Sequence, residues 1–251
     1  MSTENLIYHD GDVELRGELY RPSGSGNGKA ILVVHEADGI GGNVRRRCAM
    51  LADLGYVAAA ADIHGHGRVL AGDEMMAAVG AFRSNPLLFR KRVRSGLDAL
   101  CKAAAVDAGR VAAIGYCFGG MAVLELARSG APLAAVASFH GLLTTALPAQ
   151  RGEVSARVLA CTGAKDPLVP IEDITTFQHE MDAAEVDWQL AVYGRALHSF
   201  TNSAVADLND PRMAYDPVAD RQSWLALLAF LDDAFPAGVN AGRYLKRHLR
   251  P

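Results

Sequence analysis

The chain has 251 residues, half of them hydrophobic, and a formal net charge of −3. That length allows roughly three quarters of the unfolded surface to be buried around one core, and the near-neutral balance argues against a nucleic-acid or membrane-surface partner. The four cysteines, Cys48, Cys101, Cys117 and Cys161, form no C-x-x-C pair and no metal-finger spacing, so neither a disulfide framework nor a zinc module is expected.

The first residues, MSTENLIYHDGD, are polar and acidic, without the basic and apolar regions of a signal peptide. No apolar run approaches the roughly 20 residues of a membrane span, and the expectation is a cytoplasmic protein with reduced thiols. Residues 13–20 alternate polar and apolar like a half-exposed strand. After the turn cluster PSGSGNG, residues 30–35 (AILVVH) form a continuous apolar run, as a strand buried on both faces does. A helix is predicted over 44–54 and a second buried strand over 57–62, followed by an irregular stretch from 63 to 85 rich in Gly and His. Helices are then predicted over 86–105, 119–129, 171–184 and 220–234, and strands over 111–116, 133–139, 158–163 and 188–193. Such alternation implies a mostly parallel central sheet with helices on both faces. With no repeat or linker, residues 1–251 read as one α/β domain, with a tail from about 237 to 251 expected to be loose.

The sharpest chemical signal is Gly115-Tyr116-Cys117-Phe118-Gly119-Gly120, between the strand VAAI and the helical segment MAVLELARS. This is the strand–turn–helix setting of a G-x-S-x-G nucleophile elbow with Cys in place of Ser, which points to an α/β-hydrolase fold. The alternative is a buried structural cysteine in an ordinary turn. A nucleophile needs a base, and the base an orienting acid. In this fold they follow the nucleophile in the order acid, then His. Asp166 in TGAKDPLVP and His198 in GRALHSF each lie just beyond a predicted strand, where an open α/β sheet places its site. Taken alone, Asp166 reads as a turn residue and His198 as a loop histidine; order and placement together favour the catalytic reading. The other histidines fit less well: His64 and His66 precede the nucleophile, His140 ends a strand with no suitable acid after it, His179 lies within a helix and His248 in the tail. Glu36 follows the first buried strand, in the loop that supplies an oxyanion donor in this fold. It is either a structural or surface carboxylate or part of the site.

Taken in order, HEADGIGG, GYCFGG, GAKDPLVP and LHSF resemble the dienelactone hydrolase (carboxymethylenebutenolidase) family over about residues 6–235. The resemblance implies Cys117 as nucleophile, His198 and Asp166 as its partners, Glu36 as a gate on the thiol, and the backbone amides of Ala37 and Phe118 as the oxyanion hole. It implies a small ester or lactone as substrate and no cofactor. A carboxylate beside a thiolate repels it, so Glu36 is expected to favour the neutral, less oxidisable thiol at rest. Family members that act on dienelactone hold its carboxylate with arginines, one just beyond the catalytic His. Asn202 stands at that position here, with no Arg until Arg212, so Asn202 is the candidate substrate contact and a neutral substrate is expected.

Asp62-Ile63-His64-Gly65-His66-Gly67 offers two His and an Asp, too little to specify a metal; no metal site is expected. Arg45-Arg46-Arg47 reads as a solvated helix start, and Arg83, Arg90, Lys91, Arg92 and Arg94 as a mostly solvated cluster with one member in reach of the pocket. Competing functions are a broad carboxylesterase or thioesterase, a redox protein using Cys117, which lacks a neighbouring resolving Cys, and a non-catalytic binding protein on the same fold. Nothing in the sequence fixes an oligomeric state.

Overall fold

Eight strands form one sheet in the computed structural model, which describes residues 1–235. They are β1 (Ser2–Asp10), β2 (Val13–Arg21), β3 (Ala30–Val34), β4 (Val57–Ala61), β5 (Val111–Tyr116), β6 (Ala135–Phe139), β7 (Arg157–Gly163) and β8 (Trp188–Tyr193). Their spatial order is β1-β2-β4-β3-β5-β6-β7-β8. The β1–β2 and β2–β4 pairs are antiparallel, and every pair from β4 to β8 is parallel. Among the described residues six α-helices accompany them: α1 (Gly42–Asp53), α2 (Gly72–Ser84), α3 (Pro86–Ala104), α4 (Phe118–Arg128) and α5 (Ile171–Ala183) between strands, and α6 (Pro217–Ala234) after β8. This is the α/β-hydrolase arrangement. The segment 237–251, expected to be loose, lies outside the described residues.

Alternation along the central strands divides the core into two layers. Leu32 and Val34 of β3 pack with residues of α3, α4 and α5, whereas Ile31 and Val33 pack with α1 and α6. All five residues of β3 are buried, as a strand covered on both faces requires. Every strand that the apolar runs predict is present. Helix α3 begins as its sequence suggests: Asn85 caps it by accepting from the Leu88 N–H, and Pro86 occupies the first turn.

Two elements were not legible. Strand β1 exposes most of its side chains and joins β2 at Asp10-Gly11-Asp12, with Gly11 at positive φ; a strand held by its ladder rather than by an apolar face leaves no period-2 pattern. Helix α2 replaces part of the expected irregular stretch and buries only Phe82, so its sequence carries little amphipathic signal. Asp73 and Glu74 in its first turn and Arg83 in its last do complement the helix dipole.

The arginine expectations need correction. Arg47 is 2% exposed; its guanidinium pairs with Asp220, donates to Thr201 O and lies over the rings of Tyr116 and Trp224. Arg92 is buried between Asp10 and the Ile63 carbonyl, and Arg90 reaches the buried Glu125. In each case a carboxylate from a distant element meets the charge, which local sequence cannot reveal. Arg83 lines a cleft of about 300 Å³ together with Phe82, Phe89 and Met121. Among the described residues no helix is long and apolar enough to cross a membrane.

Candidate active site

The parallel strands all end at one edge of the sheet, and the candidate residues lie on the loops just beyond. Glu36 follows β3, Cys117 follows β5, His140 follows β6, Asp166 follows β7 and His198 follows β8. The local sequence makes the turn at Cys117 sharp. A β-carbon at Gly115 would overlap the Gly119 carbonyl, and one at Gly119 would overlap the Val34 carbonyl, so strand and helix approach this closely only with glycine at both positions. Cys117 has φ 53°, and His140 and Ser199 nearby have φ 42° and 56°. Strained non-glycine backbone of this kind persists where the surroundings over-determine it, commonly at functional sites.

The three residues expected to act together meet in a chain. His198 Nε2 lies 3.0 Å from Cys117 Sγ, and His198 Nδ1 donates to Asp166 Oδ2 at 2.8 Å. Asp166 Oδ1 accepts from the Leu168 N–H at 2.8 Å, which fixes the carboxylate. His198 and Asp166 are buried, and Cys117 is partly exposed. Burial acts against charge on the imidazole, but the Cys117 sulfur and the Asp166 carboxylate outweigh it and bring the His198 pKa up to about 10.

Glu36 is 8% exposed. Its carboxylate accepts from Asn202 Nδ2 at 3.2 Å to each oxygen and from Asn43 Nδ2 at 3.5 Å. Burial, with Asp38 adding repulsion, raises its pKa to about 7 against the opposing donors Asn202 and Asn43. Asn202, the expected substrate contact, is thus engaged with Glu36, while Arg212 is paired with Asp210. Ala37 N–H has no acceptor among the described residues, and Phe118 N–H lies at the unsatisfied start of α4. The two candidate oxyanion donors therefore lie on the loop after β3 and on the turn at Cys117.

The Asp62 loop has another use than metal binding. Asp62 oxygens accept from the backbone N–H groups of Arg16, Gly65 and Gly67, and so fold the loop.

Two contributors were missed from sequence. Asn43 holds Glu36, yet it sits at a helix start where an Asn is unremarkable. His140 is fully buried; its Nδ1 accepts from the Cys117 N–H at 3.1 Å and its Nε2 faces Thr201 Oγ1 at 2.8 Å. Its place at the end of β6 was a usable signal, but a search for an acid to follow it could not find a histidine that serves the nucleophile's backbone.

Comparison with known proteins bears on the family and the fold. Residues 15–235 match the model of the dienelactone hydrolase family. A probable 2-oxo-3-(5-oxofuran-2-ylidene)propanoate lactonase from Bradyrhizobium sp is 28% identical over 248 residues, covering 92% of this chain and 96% of its own. The crystal structure of a dienelactone hydrolase-like promiscuous phosphotriesterase from metagenomic libraries superposes with a TM-score of 0.87 at 36% identity, covering 93% of this chain and 98% of that one. An acylaminoacyl peptidase of Pyrococcus horikoshii shares the fold alone, with a TM-score of 0.69 at 14% identity over 97% of this chain and 44% of its own.

Proposed function

Because the chain belongs to the dienelactone hydrolase family, whose members are hydrolases of ester and lactone bonds, we propose that it cleaves a small, uncharged ester or lactone through an acyl-thioester on Cys117. The observation that carries this reading is the continuous chain from Cys117 Sγ through His198 to Asp166, with contacts of 3.0 and 2.8 Å. The sulfur attacks the acyl carbon, and the oxyanion forms against the N–H groups of Ala37 and Phe118. The C–O bond breaks as His198 passes its proton to the departing oxygen, which in a lactone stays tethered to the acyl group. Water then attacks the thioester, His198 takes its proton, and the thiolate departs. Asp166 holds the imidazole with Nδ1 protonated and supports its charge.

The substrate preference rests on the loop after His198. Asn202 is neutral and bound to Glu36, and Arg212 is bound to Asp210, so that loop offers no unpaired cation to a substrate carboxylate. A charge-assisted hydrogen bond is worth about 1.5–3 kcal/mol against roughly 1 for a neutral one, a difference of a few-fold to about thirtyfold in kcat/KM. For two lactones differing only in a carboxylate, the neutral member is expected to have the higher kcat/KM, and Asn202→Arg to narrow the gap. Strong preference for the anionic member refutes the neutral-substrate reading; turnover of neither, nor of simple aryl esters, refutes the hydrolytic one.

Glu36 is proposed as the gate on the thiol. With a pKa near 7 it is partly ionised at neutral pH, and its negative charge then opposes thiolate formation. A carboxylate near enough to a thiolate to repel it costs it on the order of 1 kcal/mol, or roughly fivefold in reactivity. Glu36→Gln is therefore expected to speed alkylation of Cys117 by iodoacetamide by about that factor above pH 7, and to remove the step near pH 7 from the rate profile. An identical profile in the variant rules out gating by charge.

A further inference from the structure

His35 and His64 are buried at the site, and neither has a part in the mechanism above. His35 Nε2 accepts from the Ile63 N–H at 3.1 Å. Its proton is therefore on Nδ1, which donates to the Glu36 carbonyl at 2.6 Å. His64 Nε2 lies 2.8 Å from the Ala37 carbonyl; a carbonyl only accepts, so this nitrogen carries the proton. His64 Nδ1 is buried without a partner among the described residues. Burial lowers the pKa of both rings, that of His35 to about 4, so both are neutral single donors at physiological pH.

Their acceptors are consecutive carbonyls of one tight turn. Glu36 O also accepts from the Gly39 N–H at 3.2 Å, and Asp38 O from the Leu70 N–H at 2.8 Å. Every carbonyl from Glu36 to Asp38 is thus tied down on the side facing His35, His64 and Leu70. In a trans peptide the N–H points opposite to the C=O, so fixing the Glu36 carbonyl aims the Ala37 N–H the other way. The same two rings lie against Phe118, with centroids 6.0 Å from it for His35 and 5.5 Å for His64, and Phe118 carries the second candidate oxyanion N–H.

We infer that His35 and His64 are positioning residues that pre-set the oxyanion hole, binding the Ala37 turn by its carbonyls and bracing Phe118 by its ring. The inference rests on the acyl-thioester reading of Cys117. Asp62 serves it indirectly, since the loop it folds carries His64 to the Ala37 carbonyl. His35, bound to the Glu36 carbonyl, also polarises the peptide that carries the Ala37 N–H and strengthens its donation, while His64, bound to the Ala37 carbonyl, fixes the next peptide and so the turn about the Ala37 Cα.

The two halves of the chemistry can be measured apart, because alkylation of Cys117 by iodoacetamide passes through no oxyanion whereas ester cleavage does. His64→Gln keeps an N–H near the position of Nε2; His64→Asn places its amide one carbon shorter, out of reach of the Ala37 carbonyl. Losing an oxyanion donor outright costs about 10²–10³ in kcat, and mis-aiming one is expected to cost roughly tenfold. The expected result with a p-nitrophenyl ester is a roughly tenfold fall in kcat for His64→Asn with KM within about twofold, and near-normal kcat for His64→Gln. Alkylation rates in both should stay within about twofold of the unmodified protein. Unchanged kcat in His64→Asn, equal losses in both variants, or a parallel fall in kcat and alkylation each overturn the assignment. Failure of the Cys117 reading has a separate signature, ester turnover that survives Cys117→Ala.

Discussion

Cys117→Ala is expected to abolish hydrolysis of an activated ester, with a fall in kcat on the order of 10⁴-fold or more, as when the nucleophile of a triad is removed. Alanine keeps the β-carbon, so the turn at φ 53° is no more strained than before, and the backbone contacts of residue 117 with Phe139 O and His140 Nδ1 remain. The loss is therefore expected without a change in thermal unfolding. Intact mass measured during turnover of a slow ester should show the acyl group on the unmodified protein and none on the variant. Cys117→Ser retains the elbow and base but presents a hydroxyl that is far harder to deprotonate, and is expected to keep a small residual rate. Near-full turnover by a folded alanine variant defeats the proposed mechanism.

The second large effect is at the base. His198→Ala is expected to lower kcat about 10³- to 10⁴-fold, and Asp166→Asn less. The hydrogen bonds supply the reason for the ranking and a signature for it. Asp166 accepts twice, from Leu168 N–H at one oxygen and from His198 Nδ1 at the other. Asparagine has a single acceptor oxygen. If Leu168 keeps it, the amide donor faces Nδ1 and favours the tautomer with the proton on Nε2, the atom that must act as base. The imidazolium also loses a stabilising carboxylate, so the His198 pKa falls from about 10 toward its ordinary value. The imidazole-dependent limb of the pH–rate profile should therefore move to lower pH in Asp166→Asn. Wild-type rates in both variants remove the assignment, and an unmoved profile removes Asp166 from its supporting role.

Much of the fold was legible because buried parallel strands advertise themselves. AILVV, VAAAA and VAAIGY are apolar without interruption, and only a strand covered on both sides needs that. The order Cys117, Asp166, His198 was legible because each follows a strand, and a parallel sheet brings all such loops to one edge. Strand β1 and helix α2 escaped because their stability comes from a ladder and from neighbours rather than from a periodic apolar face.

By itself the sequence determined the α/β alternation, the glycine-framed cysteine turn and the set of residues available to act as base and acid. Only the tertiary structure decided what each polar side chain faces. It set Asn202 and Asn43 on Glu36, His140 on the backbone of Cys117, His35 and His64 on the carbonyls beside Ala37, and Asp220 on Arg47. The division has a physical cause. Apolar burial is non-directional and recurs with the period of each element, so it is written locally along the chain. A hydrogen bond needs one partner at one distance and angle, and here that partner comes from another loop, up to 173 residues away between Arg47 and Asp220, brought close only when the sheet is assembled.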